Sequence, residues 1–554
     1  MPLNNAFGAA DWLELWLAVI LVAFAFLWKP ALRIRVAAFA ERTRLVMGLL
    51  FLLPIVLRLA LLAHHPVPVP NIYDEFSHLL VADTLVHLRL ANPPHPLHRF
   101  FETFFVLQQP TYSSIYPLGQ GLMLAFGRVI SGFAWTGVLF ATGALCALCY
   151  WMLRAFVPPI WALAGGLLAV IQFGPLCLWM NCYWGGALPA AAGCLAFGSL
   201  PRLAGARRNA IFLGIGFGLH LLTRPFESFL LLASLGLYFP FVRQRLPWRS
   251  LTIASAALIP ALLLMLLHNK AVTGSFVTLP EALSQYQYGV PTALTIQKPA
   301  VPHAPLTREQ ELEYRSQFLM HGPDRDSLSR FVLRLQYRVR NYRFFFLPPL
   351  YLALFAFLIT LRNRMHAWAA VSLALFALGT NLFPYLLVHY LAAVTCLFLF
   401  VAVAGLRRLS QIRLRSAAIG ADLARLLLLL CFAEFGLWYS LHLFERPESP
   451  HPLLRYETWD AINHPASASR RTFVAEKLAQ IPGQLLVFVR YSPRHLFQEE
   501  WVWNAADIDS ARIVFARDLG PSEDLQLIRY YPNRKVIYLE TDYNPPHLET
   551  DEQQ

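Results

Sequence analysis

Apolar segments long enough to cross a lipid bilayer recur from Trp12 to Phe444 in this chain of 554 residues. A helix needs roughly 20 predominantly apolar residues to span the hydrocarbon core. A typical soluble domain is about 25% charged, whereas this chain is 14% charged and 57% hydrophobic. The run lengths predict a polytopic α-helical membrane protein with about 12 spanning helices.

Basic residues between the apolar runs predict the orientation of the chain. The 46 Lys and Arg residues outnumber the 33 Asp and Glu residues, which gives a formal net charge of +13. Because cytoplasmic loops of membrane proteins are enriched in Lys and Arg, this surplus does not indicate a nucleic-acid partner. Both termini then face outward. The five basic loops assigned to the cytoplasm are Lys29 to Arg44, Arg202 to Arg208, Arg243 to Arg249, Arg362 to Arg364 and Arg407 to Arg415.

One apolar segment, Pro117 to Ile130, conflicts with this orientation if it crosses the membrane, because every later basic loop would then lie outside. It is shorter than the roughly 20 residues that a span requires, and its glycines weaken a free-standing helix. We therefore expect an interfacial or re-entrant helix within a first outer loop over residues 64–131. A second long outer loop is expected over residues 269–344.

The chain changes character after Phe444, where a polar region begins. This change predicts two parts: a transmembrane domain over residues 1–444 and a small extracytoplasmic α/β domain over residues 445–554. In the second part, short apolar runs alternate with helical patterns, as in α/β domains. The predicted strands are Leu485 to Arg490, Ile513 to Ala516 and Val536 to Leu539, and the predicted helices are Thr472 to Gln480 and Glu523 to Tyr530.

The segment Asn71 to Leu90 predicts an amphipathic helix lying at the membrane interface. Asp74 and Glu75 begin this helix, and His78 follows one turn later. Carboxylates at a helix start commonly cap it and interact with its dipole. A carboxylate at the membrane boundary can instead act as a general base toward a hydroxyl. The sequence leaves both roles open.

In the first outer loop, Tyr73-Asp74-Glu75-Phe76 is followed by Pro93-Pro94, Phe101-Glu102 and Tyr116-Pro117-Leu118-Gly119. This order of motifs resembles GT-C glycosyltransferases, in particular the branch of protein O-mannosyltransferases and aminoarabinose transferases. In that family an acidic residue of this loop is catalytic, and the sugar donor is a polyprenyl monophosphate. The resemblance implies that Asp74, supported by Glu75 or His78, is catalytic. It extends over the helical part as a pattern rather than as close identity.

An outward turn, Asn181 to Gly186, departs from the family pattern because it lacks the second acidic residue often placed there. Asn181 and Trp184 are candidates for binding sugar through amide hydrogen bonds and ring stacking. The alternative is that Trp184 belongs to the aromatic belt of the membrane interface and that the glycines close a tight turn.

Two further outward helix ends carry candidate phosphate or sugar ligands. Arg224 lies in Thr223 to Glu227, between two short apolar runs, and its planar guanidinium suits a phosphate. The family has a basic residue in the corresponding turn. An ion pair between Arg224 and Glu227 is the alternative. His389 and Tyr390 are candidates as well, or else an interfacial pair that extends toward the headgroups.

These residues together predict a glycosyltransferase that moves a sugar from a polyprenyl-phosphate donor to a hydroxyl of a lipid, glycan or protein acceptor. We expect it in a bacterial inner membrane with its site facing outward. No cofactor is expected, and without a compact ligand motif such as HExxH no metal site is predicted. The alternative function is a transporter or flippase of a lipid-linked glycan. Such proteins often contain internal repeats, which this sequence lacks. The C-terminal domain is a candidate partner-binding module, with Trp501, Trp503 and Asp507 to Asp509 facing a glycan or else packed in its core.

Overall fold

The computed structural model describes residue 12 and residues 16–23, 33–414, 417–444 and 466–550. Residues 13–15 and 24–28 of the first predicted helix, Trp12 to Trp28, and the linker after Phe444 lie outside the described residues. In the part up to residue 444, the α-helices are α1 (Arg33–Glu41), α2 (Thr43–Ala60), α3 (Tyr73–Val86), α4 (Leu118–Ser131), α5 (Ala134–Leu153), α6 (Pro159–Phe173), α7 (Ala187–Ser199), α8 (Arg207–Leu221), α9 (Pro225–Val242), α10 (Trp248–Thr273), α11 (Pro280–Tyr288), α12 (Arg308–His321), α13 (Leu328–Arg338), α14 (Tyr351–Leu358), α15 (Arg364–Thr380), α16 (Thr395–Leu409) and α17 (Ile419–Leu443).

Short 3-10 helices and one two-stranded ribbon connect these helices. The ribbon pairs β1 (Val106–Leu107) with β2 (Ser113–Ser114) in antiparallel fashion. The 3-10 helices are His98–Phe101, Leu178–Met180, Leu200–Arg202, Val339–Phe345, Pro348–Leu350 and Val388–Val394.

Six helices within the described ranges are long and apolar enough to cross a membrane, or seven if one bent pair is a single span. The protein is therefore a helical protein of the membrane type. The predicted number of 12 spans stays a prediction, because several other apolar helices are shorter than 18 residues. The six helices are Thr43–Ala60, Ala134–Leu153, Pro225–Val242, Trp248–Thr273, Val388–Leu409 and Ile419–Leu443, and the bent pair is Leu328–Phe345 with Pro348–Leu358.

The helices differ in how much of their surface the protein covers. In Val388–Leu409, 94% of the most apolar window is buried, whereas in Trp248–Thr273 only 6% is buried. The first segment is therefore central to the bundle, and the second presents an apolar surface of the kind that faces lipid.

The segment predicted to be re-entrant forms α4, a helix of 14 residues that is too short for a full span. Gly121 and Gly127 allow close packing on both sides: a Cβ at Gly121 would collide with Val81 of α3, and one at Gly127 with the backbone at Gly137 of α5. The glycines that weaken this helix in isolation are thus the residues that let it pack between two others.

Helix α3 lies in the segment predicted to form an amphipathic helix at the interface, but the structure does not leave its polar residues exposed. Its polar residues Asp74, Ser77, His78 and Asp83 are all buried. Ser77 donates a hydrogen bond to the carbonyl oxygen of Phe105 at 2.7 Å. The polar face of α3 is therefore directed into the protein.

The C-terminal part contains a four-stranded sheet, and the three predicted strands are present in it. The sheet has the order β4–β3–β5–β6, in which the first three strands are parallel and the last is antiparallel. The continuous burial of β3 on both faces is typical of a central parallel strand. The elements are β3 (Leu485–Arg490), β4 (Ile513–Arg517), β5 (Lys535–Glu540), β6 (His547–Thr550), α18 (Ala466–Gln480) and α19 (Pro521–Tyr530).

This sheet domain is fixed to both outer loops by buried polar contacts. Arg517, at the end of β4, donates to Glu309 of α12 at 2.6 Å, to the carbonyl oxygen of Glu102 at 2.6 Å and to Glu500. Asp83 of α3 accepts a hydrogen bond from the backbone N–H of Ala506 at 2.7 Å. The domain is thus docked beside the long loops.

The aromatic residues proposed as a glycan-facing loop in this domain are packed inward instead. Trp501 is buried, and Trp503 stacks on Phe76 with ring centroids 4.9 Å apart. Asp509 is bonded by the hydroxyls of Tyr530 and Tyr531. These residues hold the domain against the first outer loop.

Candidate active site

A cavity of about 440 Å³ lies where the two long loops, residues 64–131 and 269–344, meet the ends of neighbouring helices. It brings together six of the nine residues selected from the sequence, which come from four separate parts of the chain. These six residues are Asp74, Trp184, Arg224, Glu227, His389 and Tyr390.

Asp74 is placed at the cavity by the first turn of α3. Its side chain is buried and accepts a hydrogen bond from the phenolic hydroxyl of Tyr116, which precedes α4. Burial raises the pKa of Asp74 to about 7, while the Tyr116 hydrogen bond and the nearby Arg224 charge act in the opposite direction. A carboxyl group with this pKa can accept a proton near neutral pH.

His78 lies one turn beyond Asp74 and stacks on Tyr116, with ring centroids 4.2 Å apart. Neither ring nitrogen has a hydrogen-bond partner among the described residues. Burial lowers the pKa of His78 to about 3, so the imidazole is neutral at pH 7. His78 does not line the cavity. It stacks on Tyr116, and Tyr116 lines the cavity.

Arg224 is the residue that precedes α9. Its backbone N–H donates to the carbonyl oxygen of His220 at 2.7 Å, which fixes the end of α8. Its guanidinium lies over the ring of Tyr390 at 5.1 Å. Within the described ranges this guanidinium forms no hydrogen bond and no ion pair, so the predicted alternative of a pair with Glu227 is not found. Arg224 is thus a half-buried cation directed at the cavity.

Glu227 is buried at the cavity wall, and its Oε1 atom has no hydrogen-bond partner in the part of the chain that the structure describes. It follows Arg224 by three residues in the first turn of α9. A carboxylate at a helix start is favoured by the helix dipole.

Aromatic side chains form another side of the cavity. Trp184 meets His389 edge to face, with ring centroids 4.8 Å apart, and His389 meets Tyr390 at 5.0 Å. Gly186 adopts a φ of +124°, which an L side chain rarely adopts, and a Cβ there would collide with Trp179. The glycines therefore close a tight turn, as one alternative held, and this turn places Trp184 at the cavity.

Glu75 and Asn181 lie away from the cavity and are bonded to backbone. Glu75 accepts hydrogen bonds from the N–H groups of Asn71 at 2.8 Å, Ile72 at 3.2 Å and Tyr183 at 2.9 Å. Asn181 accepts from Arg58 Nε at 2.7 Å and donates to two backbone carbonyls. Glu75 therefore caps α3 and links it to the 181–186 turn, which Asn181 fixes from within.

The second outer loop adds carboxylates that sequence reasoning did not select. Glu313 of α12 is buried, accepts from Gln317 Nε2 at 2.6 Å and from the Tyr73 hydroxyl at 3.3 Å, and burial raises its pKa. Glu281 of α11 also lines the cavity. The sequence predicts a long loop over residues 269–344, but it gives no signal for which carboxylates of that loop face the cavity.

In the described part of the first outer loop, no three His, Cys, Asp or Glu side chains lie close enough together to share a metal ion. Among the described residues, one group of three potential ligands lies together: Glu540, His547 and Glu549 at the last β-hairpin. His547 and Glu549 are exposed there, and exposed acidic groups of this kind are common without an ion.

No protein-family model matches this sequence, and no curated protein matches it significantly. Solved structures do show a likeness. ArnT from Cupriavidus metallidurans bound to undecaprenyl phosphate is 11% identical, with 96% of this chain and 93% of ArnT covered and a TM-score of 0.46. ArnT in the apo state gives 11% identity, 88% and 90% coverage and a TM-score of 0.47.

The archaeal oligosaccharyltransferase AglB from Archaeoglobus fulgidus, in complex with an inhibitory peptide and a dolichol-phosphate, is 12% identical. Here 90% of this chain and 69% of AglB are covered, with a TM-score of 0.37. ArnT is an aminoarabinose transferase, and both neighbours have the GT-C fold. They are thus of the kind that the sequence resembles.

Proposed function

We propose that this protein is a membrane glycosyltransferase that moves a sugar from a polyprenyl-phosphate donor to a hydroxyl of its acceptor. The observation that supports this most strongly is that Asp74 and Arg224 line one cavity. The first has a pKa near neutrality, and the second is a cation without a carboxylate partner in the described part of the chain. Transfer from a sugar phosphate to a hydroxyl needs one group of each kind.

Asp74 is proposed as the general base. In the reaction the acceptor oxygen attacks the anomeric carbon, and the acceptor proton passes to the Asp74 carboxylate. The bond between the anomeric carbon and the phosphate oxygen breaks, and the lipid phosphate leaves with the bonding electron pair. Tyr116 holds the carboxylate in place through its hydrogen bond.

Arg224 is proposed to bind the phosphate. The planar guanidinium can donate two parallel hydrogen bonds to phosphate oxygens. It also lies at the N-terminus of α9, where the helix dipole favours an anion. The charge that develops on the leaving phosphate is stabilised by this cation, so the second carboxylic acid that is missing from the 181–186 turn is not required.

The remaining cavity walls suit the other parts of the donor. Trp184, His389 and Tyr390 offer ring faces and edges against which a sugar can pack. Apolar residues of the same cavity wall, among them Phe226 and Leu387, suit the first isoprene units of a lipid. We propose that the cavity faces the outer side of the membrane, since the positive-inside rule assigns the basic loops to the cytoplasm.

The test is to incubate the purified full-length protein with a panel of polyprenyl-phosphate sugars and measure the release of polyprenyl phosphate. We expect release from at least one donor, dependent on Asp74 and Arg224. Release that is unchanged in Asp74→Asn and Arg224→Ala, or no release from any donor in the panel, would contradict the proposal.

A further inference from the structure

A second and larger cavity lies outside the candidate active site, between the C-terminal sheet domain and the two outer loops. Its volume is about 860 Å³, nearly twice that of the Asp74 cavity. We call it the outer groove. Its walls are residues 98–109 of the first outer loop, residues 287–309 of the second outer loop and the strand ends of the sheet domain.

The outer groove lies at the carboxyl ends of the three parallel strands. Its wall includes residues 489–492 at the end of β3, residues 517–519 at the end of β4, and Glu540 and Asp542 at the end of β5. From β3 the chain goes first to β4 on one side and then to β5 on the other side. The groove is therefore at a topological switch point, where open α/β sheets bind ligands.

Two hydrogen-bond acceptors in the groove wall have no partner among the described residues. They are Oε1 of Gln108, a side chain only 1% exposed, and Oε1 of Gln287. The amide nitrogens are held in place: Gln108 Nε2 donates to the carbonyl oxygen of Phe101 at 2.5 Å, and Gln287 Nε2 donates to that of Gln109 at 3.0 Å. A buried acceptor without a partner is costly, so a ligand with O–H or N–H donors is favoured.

Most charges of the groove wall are compensated within the protein. Arg517 pairs with Glu309, Arg490 pairs with Asp518, and Asp542 accepts from His495 at 2.7 Å. Arg308, which also lines the groove, donates to the carbonyl oxygens of Ser492 at 3.1 Å and Pro493 at 2.5 Å. These side chains remain able to bind hydroxyls but present little unpaired charge. The wall therefore favours an uncharged ligand over an anion or a cation.

Tyr543 adds an aromatic surface at the rim of the groove and is 59% exposed. Sugar rings pack against such faces through their C–H groups, while their hydroxyls bond to amide and carboxylate oxygens. We propose that the outer groove binds an uncharged, hydroxyl-rich oligosaccharide chain.

The groove is connected to the Asp74 cavity by α12. Glu309, in its first turn, lines the groove, and Glu313 lines the cavity. Four residues of helix correspond to about 6 Å. If the proposed transferase function holds, the bound oligosaccharide is part of the acceptor. This last step rests on the proposed function, whereas oligosaccharide binding does not.

The experiment measures binding of neutral pentasaccharides built from glucose, mannose or N-acetylglucosamine to the purified full-length protein by calorimetry. We expect at least one of them to bind. Gln287→Leu removes an acceptor and Tyr543→Ala removes the ring, so each should weaken binding about tenfold. Tyr543→Phe keeps the ring and should bind as the wild type does. Unchanged melting temperatures in the variants exclude a folding defect.

Several results would overturn the proposal. These are the absence of binding for every neutral probe, tighter binding of a peptide or of a charged oligosaccharide, and binding that is unaffected by Gln287→Leu and Tyr543→Ala. Asp74→Asn separates the two proposals because it should abolish transfer and leave oligosaccharide binding unchanged. If Asp74→Asn loses transfer but no probe binds the groove, the oligosaccharide proposal alone is refuted. If a probe binds the groove but no donor is turned over, the transferase proposal alone is refuted.

Discussion

Tyr116 donates its phenolic hydrogen to the carboxylate of Asp74, and this contact joins the start of α4 to the start of α3. The neutral ring of His78 stacks on the ring of Tyr116. Burial raises the pKa of Asp74, and the Tyr116 hydrogen bond restrains that rise. Tyr116 therefore both orients the proposed base and extends to lower pH the range in which it is ionised.

The first prediction concerns the pH dependence of transfer. Asp74 must be ionised to accept a proton, and its pKa is about 7. The rate should thus fall as the pH drops below about 7 and level off above it. Tyr116→Phe removes a hydrogen bond that lowers this pKa, so the acidic limb should move to higher pH. Rate profiles of both proteins between pH 5 and 9 provide the measurement, and an unmoved limb in Tyr116→Phe would contradict the assignment.

The second prediction concerns the phosphate of the donor. Arg224→Ala should weaken binding of a polyprenyl-phosphate sugar roughly 10- to 100-fold, because charge-assisted hydrogen bonds to the phosphate are lost. Arg224→Lys keeps the charge but not the planar fork, so its affinity for the donor should lie between those of the wild type and Arg224→Ala. Arg315→Ala is the control, since this arginine is exposed and its ion pair among the described residues is with Glu311. Equal donor affinity in Arg224→Ala and Arg315→Ala would remove Arg224 from the site.

The third prediction separates Glu75 from Asp74. Both Glu75 oxygens accept hydrogen bonds from backbone N–H groups. In Glu75→Gln an NH2 group replaces one of these oxygens, so its donors would face backbone N–H donors. We expect this variant to lose about 1–3 kcal/mol of stability. Transfer per folded molecule should remain. Thermal unfolding and specific activity measured on the same preparation test this, and normal stability with abolished transfer would instead indicate a chemical role.

The fourth prediction concerns the attachment of the sheet domain. Arg517 is a buried cation between Glu309 and Glu500, and its removal leaves two buried carboxylates unpaired. Arg517→Leu should destabilise the protein by about 3–5 kcal/mol. Limited proteolysis should then cleave near the sheet domain more rapidly than in the wild type. Proteolysis at the wild-type rate would show that this network does not hold the domain.

Local patterns in the sequence predicted many of the elements closely. The apolar segment Pro117 to Ile130 forms α4 at Leu118–Ser131, and the predicted strand Leu485 to Arg490 is β3. These elements follow from hydrophobic runs and breaker residues, which act over a few positions. The orientation of the chain remains a prediction from the basic loops.

Features that depend on distant contacts could not be predicted in this way. The polar face of α3 is buried because α4 and the 105–114 segment cover it. The residues of α3 alone do not indicate that either of these segments packs there. Glu313 lies 239 positions after Asp74 in the sequence. It comes to the cavity because α12 packs on Tyr73, whose hydroxyl bonds to Glu313. The side-chain amide of Asn181 is of a kind that binds sugars, but it is already hydrogen-bonded to Arg58 and to two backbone carbonyls.

The most direct test of the proposed chemistry compares two aspartates of the same helix. Asp74 lines the cavity, whereas Asp83 bonds to Arg128 at 2.5 Å and to the Ala506 N–H away from it. Transfer from a polyprenyl-phosphate sugar should fall by at least about 100-fold in Asp74→Asn, the scale of general-base catalysis, with normal abundance and thermal stability. Asp83→Asn should keep its transfer rate per folded molecule. Full transfer by Asp74→Asn would show that Asp74 is not the base.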